Sequence, residues 1–562
     1  MIRRAARILV DQLQVHGVDH VFCVPGESYL AVLDAFYDAH GIRLIVNRHE
    51  SGSTFMADAY AKLTGRPGVA FVTRGPGATN GSIGVHTAFQ DSTPLLLLVG
   101  QVGNDFVERE AFQEIDYRRM FGQMTKWVAQ IDRADRIPEF IARAFQVATS
   151  GRPGPVVLAL PEDLLEDSAD VEDAACHQPV QSAPTDAQIG DIRHLLAQAR
   201  SPLVLLGGTG WTDAACDNLR RFAETNHLPV ACAFRYQDLF DNRHPNYIGD
   251  VGIGINPKLA QRVREADLLL AIGPRLGEMT TGGYSLLSVP RPEQTLIHVH
   301  QGTEELGRVY QAQMLIASGM PQLAVRLAAM TPVESPSWRA ATIEARTEYE
   351  AWQSQAPVYG REKARLDLWQ VVQMLQATVP ADTVVTNGAG NFSTWAHRYW
   401  RYGVLRTQLA PTAGSMGYGL PAAIAAKLVA PGRTVVAFAG DGDFLMTAQE
   451  LATAVMYEAG VLILVFNNGM YGTIRMHQER HHPARVIGTD LVNPRFDLLA
   501  QSFGGFGAVV ESSEQFGPTL RDALAFAHER KLPALIELRT DEQIITPGTT
   551  LSAIRASALA GR

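Results

Sequence analysis

Asp441 sits between two glycines directly after the apolar run VVAFA, and Asn467 and Asn468 sit directly after the next such run, VLILVF. Residues 440–468 therefore read as strand end, Gly-Asp-Gly turn, helix, strand and Asn-Asn. Parallel neighbouring strands bring both ends to one edge of a sheet, so a carboxylate and an amide oxygen face one small space. Hard oxygen donors of this kind suit Mg2+ or Ca2+, and Mg2+ usually completes its octahedron with phosphates and water. Gly440 and Gly442 let the backbone approach an anion, and the amides opening the next helix can hold a phosphate. A lone Gly-Asp-Gly is more often only a turn; the strand–helix–strand frame and the paired asparagines set this one apart.

A second candidate stands near the other end of the chain. The run RLIVN is followed by Arg48-His49-Glu50, and a helical stretch, 51–63, begins there. Glu50 thus projects from a strand end at a helix N-terminus. In isolation such a glutamate is usually a cap or one half of an ion pair.

The elements that must position these residues repeat along the chain. HVFCVPG, RLIVN, GVAFVT, PLLLLVG and GPVVLALP read as strands in the first 165 residues, with helical stretches such as 51–63 and 78–89 between them. PLVLLGG, PVACAF, ADLLLAIG and TLIHVH continue the pattern to about 330, and TVVTNG, RTVVAFAGDG, VLILVFNN and PALIELRT complete it. Strands this apolar are buried on both faces, which predicts parallel sheets with helices on either side. The polar, acidic stretch 165–200 reads as a linker and TPVESPS as a second break. The expected class is α/β, with three doubly wound parallel-sheet domains at 1–165, 185–330 and 355–545. Ligands of such sheets bind at the carboxyl ends of strands.

Composition narrows the function classes. Of 562 residues, 46% are hydrophobic and 19% charged, which fits well-buried globular domains. A formal charge of −9 argues against nucleic acid as a partner. The four cysteines, Cys23, Cys176, Cys216 and Cys232, form no CxxC pair, so the expected compartment is a reducing cytoplasm. Asp11 and Gln12 interrupt the N-terminal apolar stretch; Ile2, Ala5, Ile8, Leu9 and Leu13 predict an amphipathic first helix, with Arg3, Arg4 and Arg7 in water, rather than a signal peptide. No apolar run is long enough to span a bilayer.

The segment 440–468 resembles the thiamine diphosphate-binding motif, GDG followed some two dozen residues later by NN. The resemblance implies that Asp441, Asn468 and the carbonyl of Met470 hold Mg2+. It also implies that Gly440, Gly442, Asp443 and Gly472 line the cofactor, with Asn391 and Phe392 near the diphosphate. RHESGSTFMADAYAKLTGRPGVAFVTRGPGATN, with AFQDSTPLLLLVGQV after it, is similar to the N-terminal domain of acetolactate (acetohydroxyacid) synthase-like enzymes. That likeness makes Glu50 the carboxyl that hydrogen-bonds N1′ of the aminopyrimidine, with Asn80 beside the cofactor. The chemistry is sound: the thiazolium C2 proton is too weakly acidic to leave unaided. Protonation at N1′ favours the tautomer whose 4′-nitrogen removes it, and burial that raises the carboxyl's pKa helps. GSMGYGLPAA resembles the family segment that bends the cofactor, with Met416 as the wedge and the Gly414 carbonyl on the 4′-amino group. The likeness covers nearly the whole chain and is thinnest in the middle. It implies that Glu50 of one subunit serves the diphosphate domain of its partner, hence an obligate dimer, often a homotetramer.

The substrate is read from weaker signals. EAFQE and TKW resemble synthase segments at the substrate entrance, which points to Phe112, Gln113 and Lys126, the lysine as attractor of a carboxylate. Thr473 and His477 stand where acetohydroxyacid synthases usually carry Met and Trp, and His481 and His482 follow in the same polar stretch. The expected reaction is decarboxylation of a 2-oxo acid followed by carboligation. A decarboxylase or lyase of a 2-oxo acid, diketone or acyl-CoA is the alternative, and a non-catalytic cofactor-binding scaffold is an alternative of another class. Related synthases hold FAD in the central domain. Here the GGTG turn at 207–210 is a weak signal, and His300 and Gln301 stand where acidic residues are usual, so the balance lies against FAD. A nicotinamide oxidoreductase lacks support, since no GxGxxG follows a strand with an acidic residue at the expected distance.

Overall fold

The computed structural model describes residues 1–355, 357 and 365–561, so most of the stretch that opens the third expected domain, 356 and 358–364, lies outside the described residues. The chain divides into two compact units. One comprises Met1–Val180 with Ile424–Val429 and Thr447–Tyr457; the other comprises Gln181–Ala423, Ala430–Met446 and Glu458–Arg562.

Every apolar run named above is a strand. The first unit is built on a six-stranded sheet in the order Arg43–Val46, His20–Cys23, Gly68–Val72, Leu95–Gln101, Pro155–Pro161, Trp127–Gln130. All its pairings are parallel. Gly68–Val72, Leu95–Gln101 and Pro155–Pro161 are buried at every position, as their unbroken apolar sequences require.

The second unit holds two more six-stranded parallel sheets. The first has the order Tyr247–Asp250, Val230–Cys232, Pro202–Leu206, Leu268–Ile272, Thr295–His300, Met314–Ala317. The other has the order Gln408–Leu409, Val384–Asn387, Val435–Gly440, Leu462–Asn467, Ala534–Arg539, Phe506–Val510. In this last sheet the chain leaves Val384–Asn387 for one neighbour, Gln408–Leu409, and returns to its other side with Val435–Gly440. That reversal is a topological switch point, and it opens a crevice beyond the carboxyl ends of the two inner strands.

Three expectations are corrected. Ile2 belongs to a short strand, Ile2–Arg4, paired antiparallel with Ser168–Asp170, and is 72% exposed. The first helix is Ala5–Val15, which buries Ala5, Ile8, Leu9 and Leu13. Arg3 is not free in water but paired with Asp11 and Asp173. The stretch 165–200 is not all linker, because Asp186–Gln198 is a helix opened by a capping box between Thr185 and Gln188. Among the described residues no helix is long and apolar enough to cross a membrane.

Candidate functional site

The crevice at the switch point is a cavity of about 250 Å3. The ends of Val384–Asn387, Val435–Gly440 and Leu462–Asn467 open onto it, the last two paired in register from Val436 with Leu462 to Gly440 with Phe466. Asp441, Asn468 and Met470 line it, as do Gly440, Gly442, Asp443 and Gly472. Asn391, Phe392, Gly414, Met416 and Thr473 line it from the other segments.

Asp441 is 3% exposed, and burial raises its carboxyl above the usual aspartate range. One oxygen accepts the Gly442 amide at 3.0 Å; the other accepts the Gly469 amide at 2.9 Å and the Asn493 side-chain amide at 2.8 Å. Asn493 also donates to Asn467 Oδ1 at 2.9 Å, and its own Oδ1 is buried with no hydrogen-bond partner. Asn468 Oδ1 accepts the Met470 amide at 3.3 Å, and the Met470 carbonyl accepts the Gly472 amide at 2.9 Å. Asp441 Oδ1, Asn468 Oδ1 and the Met470 carbonyl each accept one hydrogen bond and retain a lone pair. A carboxylate, an amide oxygen, a main-chain carbonyl and an orphaned buried oxygen beside them are donors of one chemical kind, and they fit a hard divalent cation.

Two glycines are required by close approach. A Cβ on Gly442 would lie 2.5 Å from the Tyr471 ring, and one on Gly388 would lie 2.0 Å from Asp443 Oδ1. Asp443 itself is a brace: its Oδ1 accepts the amides of Gly417 at 2.8 Å and Ala389 at 3.2 Å. Burial pushes its carboxyl up to about 7. These bonds tie the segments carrying Met416 and Asn391 to the Gly-Asp-Gly turn. Thr473 adds another tie, its hydroxyl accepting the Asn391 amide at 3.0 Å. Gly414 has a φ of 71°, the left-handed conformation glycine adopts at least cost.

The other candidate group belongs to the first unit. Glu50 opens the helix Glu50–Thr64, whose N-cap His49 accepts the Ser51 amide with its ring and whose end at Gly65 is left-handed. Glu50 is 8% exposed and accepts a 3.0 Å hydrogen bond from Asn80 Nδ2. Asn80 lies on the helix Gly75–Asp91, which packs closely because its glycines face the helix Glu50–Thr64. A Cβ on Gly84 would lie 2.2 Å from Thr54 Oγ1, and one on Gly77 would lie 3.3 Å from Glu50 Oε1.

Sequence reading missed two residues. Glu450, fully buried, accepts the amides of His49 at 3.0 Å and Arg48 at 3.2 Å, the Asn47 side chain at 3.1 Å and the Thr453 hydroxyl at 2.6 Å. It fixes the turn that presents Glu50. A charged residue in the apolar stretch after the Gly-Asp-Gly turn was the available signal. Asn493, in a stretch without regular structure, gave none.

Of the expected substrate residues, Thr473 lines the cavity. Phe112 is 71% exposed, and the Gln113 carbonyl accepts the Gly75 amide at 3.0 Å. The Lys126 ammonium donates to the carbonyls of Val147 and Ser150, at the C-terminal end of the helix Ile137–Thr149, where the helix dipole favours a cation. His477 is exposed on the helix Gly472–His481 and does not line the cavity; its ring stacks with His481 at 6.2 Å. In the central sheet, a Cβ on Gly208 would lie 2.0 Å from the Gly273 carbonyl, so the packing of the GGTG turn accounts for that glycine. Gln301 donates to Thr209, and the His300 ring accepts the Gly302 amide.

Comparison with known proteins agrees with this geometry. Residues 3–120 match the N-terminal TPP binding domain of thiamine pyrophosphate enzymes, 189–327 the central domain and 388–538 the C-terminal TPP binding domain. The chain is 32% identical to the acetolactate synthase large subunit of Parasynechococcus marenigrum (strain WH8102) over 95% of this chain and 87% of that one. It is 30% identical to the acetolactate synthase isozyme 2 large subunit of Escherichia coli (strain K12), over 97% and 98% of the two chains. It is also 30% identical to the probable acetolactate synthase large subunit of Methanocaldococcus jannaschii, over 98% and 95%. With matches to all three domains and identity at this level over nearly its full length, the chain belongs to the acetolactate synthase-like family of thiamine pyrophosphate enzymes.

Proposed function

We propose that the protein decarboxylates a 2-oxo acid, pyruvate or a close relative, and joins the remaining acyl unit to a second carbonyl compound, giving a hydroxy-ketone acid. Bound thiamine diphosphate supplies the carbon nucleophile and the electron sink for loss of CO2. Asp441, Asn468 and the Met470 carbonyl hold Mg2+, and Gly440, Gly442 and Gly472 leave room for the diphosphate. Asp443 and Asn391 keep the surrounding loops in place, while Met416 and the Gly414 carbonyl shape the cofactor's seat. Glu50, steadied by Asn80, holds and returns the proton at the pyrimidine N1′. The active assembly is at least a homodimer, and a homotetramer fits the family, with Glu50 of one subunit serving the cavity of its partner; the cytoplasm is the compartment. Ligation after decarboxylation involves no net redox change, so a flavin would have no part in the chemical steps themselves.

The observation that carries this reading is the oxygen-donor cluster of Asp441, Asn468, Met470 and Asn493 at the sheet's switch point. Thr473 gives a second reading its support. A small hydroxyl held on the Asn391 amide lines the cavity where synthases usually carry a larger apolar side chain, which favours a changed acceptor or simple protonation. Incubation with pyruvate, Mg2+ and thiamine diphosphate separates the two. Acetolactate supports ligation, acetaldehyde supports the lyase reading, and absence of CO2 release from any 2-oxo acid or acyl-CoA defeats both.

A further inference from the structure

The irregular stretch after the first unit's last strand folds back onto its first helix and brings three metal-binding side chains together. His16, which caps the helix Ala5–Val15, is 7% exposed and stacks on Phe145, ring centres 4.5 Å apart. Its Nδ1 lies 3.2 Å from Nδ1 of His177, a residue 161 positions along the chain. It also accepts the His177 main-chain amide at 3.1 Å. That bond leaves the ring proton on Nε2, which is buried with no hydrogen-bond partner. All the polar contact of His16 is therefore on the side facing His177. Cys176, exposed, completes the group: one ligand atom from each of the three residues falls within 4.8 Å of the others.

We propose that His16, Cys176 and His177 form a site for a borderline-soft divalent cation, Zn2+ in the first place, with water as fourth ligand. A thiolate and two imidazoles are a Zn2+ donor set, and Zn–N bonds of about 2.0–2.1 Å in a tetrahedron put two nitrogens about 3.3 Å apart. The two Nδ1 atoms already stand at that spacing. The cation replaces the amide donor on His16 Nδ1, and Cys176, in a stretch without regular structure, closes onto it as thiolate, releasing a proton to solvent. The bound ion clips the stretch that follows Ser168–Asp170 to the first helix. It is chemically distinct from the all-oxygen cluster around Asp441, which suits Mg2+.

The test titrates full-length protein, saturated with Mg2+ and thiamine diphosphate and kept reduced, with Co2+. The expected result is a thiolate-to-cobalt charge-transfer band with tetrahedral d–d bands, saturating at one Co2+ per chain and bleached by Zn2+. Octahedral Co2+ on oxygen ligands gives no such band. Cys23, Cys216 and Cys232 are buried or partly buried, with thiols held well above the usual range, so Cys176 is the thiolate available. Cys176→Ser should abolish the band and leave turnover unchanged, and His177→Ala should weaken Co2+ binding about tenfold or more. A wild-type titration without a thiolate band, or a band undiminished in Cys176→Ser, overturns the proposal.

Discussion

The carboxylate of Glu450 lies 3.0 Å from the main-chain nitrogen of His49, 401 positions away in sequence, and this bond holds the turn from which Glu50 emerges. Glu450 is fully buried, and burial raises its pKa above the usual range, so it is retained for the hydrogen bonds it accepts rather than for contact with water. Gly52 makes the approach feasible, since a Cβ there would lie 2.4 Å from Glu450 Oε1.

Glu450→Ala leaves the buried Asn47 side-chain amide and the partly buried Arg48 and His49 main-chain amides without this acceptor, and a buried loss of this kind costs about 1–3 kcal/mol. The variant should unfold at lower denaturant concentration and lose turnover through a displaced Glu50. Gly52→Ala should reproduce the defect by overpacking, at about 1–3 kcal/mol. Denaturant melts paired with activity assays check both, and a Gly52→Ala protein with wild-type stability would show that the turn is not held as described.

Glu50→Gln keeps the side chain's shape and a partner for Asn80 but cannot exchange a proton at N1′. General acid–base catalysis of this kind is worth about 100- to 10,000-fold, so turnover should fall by that much while circular dichroism and Mg2+-dependent cofactor uptake stay unchanged. The C2-proton exchange rate of bound cofactor, followed by NMR, reads the step directly.

Asn493 touches Asp441 and Asn467 at once, 2.8 and 2.9 Å away. Removing an outer partner of a ligand typically lowers metal affinity about 10- to 100-fold. Asn493→Ala should therefore raise the Mg2+ concentration for half-activation by that factor and leave turnover at saturating Mg2+ nearly intact. Unchanged Mg2+ dependence would remove Asn493 from the cation's surroundings.

Acid should loosen the C-terminal helix, Leu551–Ala560, before the rest of its unit. Glu479, buried beneath it, pairs with Arg555, and that bond lowers its carboxyl from the usual 4.5 to about 2. A group depressed on folding stabilises fully above its unfolded value, so the contribution is present above pH 4.5 and lost as pH falls through about 2. Hydrogen exchange of residues 551–560 should rise across that window. In Arg555→Met it should already be high at neutral pH and change less with acid.

The layers of the fold were legible because inner strands of parallel sheets are buried on both faces and must be apolar throughout. In the three six-stranded sheets the strands that reading missed, Trp127–Gln130, Tyr247–Asp250, Met314–Ala317, Gln408–Leu409 and Phe506–Val510, all lie at sheet edges. An edge strand has a neighbour on one side only, and its sequence is mixed and short.

The sequence alone determined the α/β class, the Gly-Asp-Gly and Asn-Asn strand ends that line one cavity, and Glu50 at a helix start, because strand, turn and helix are written in local patterns of burial and chirality. Only the tertiary structure revealed that Glu450 holds the Glu50 turn, that Asn493 braces Asp441, and that His16 meets Cys176 and His177. Those contacts join residues far apart in the chain, and which distant polar groups end up sharing a buried space depends on packing that no single segment encodes.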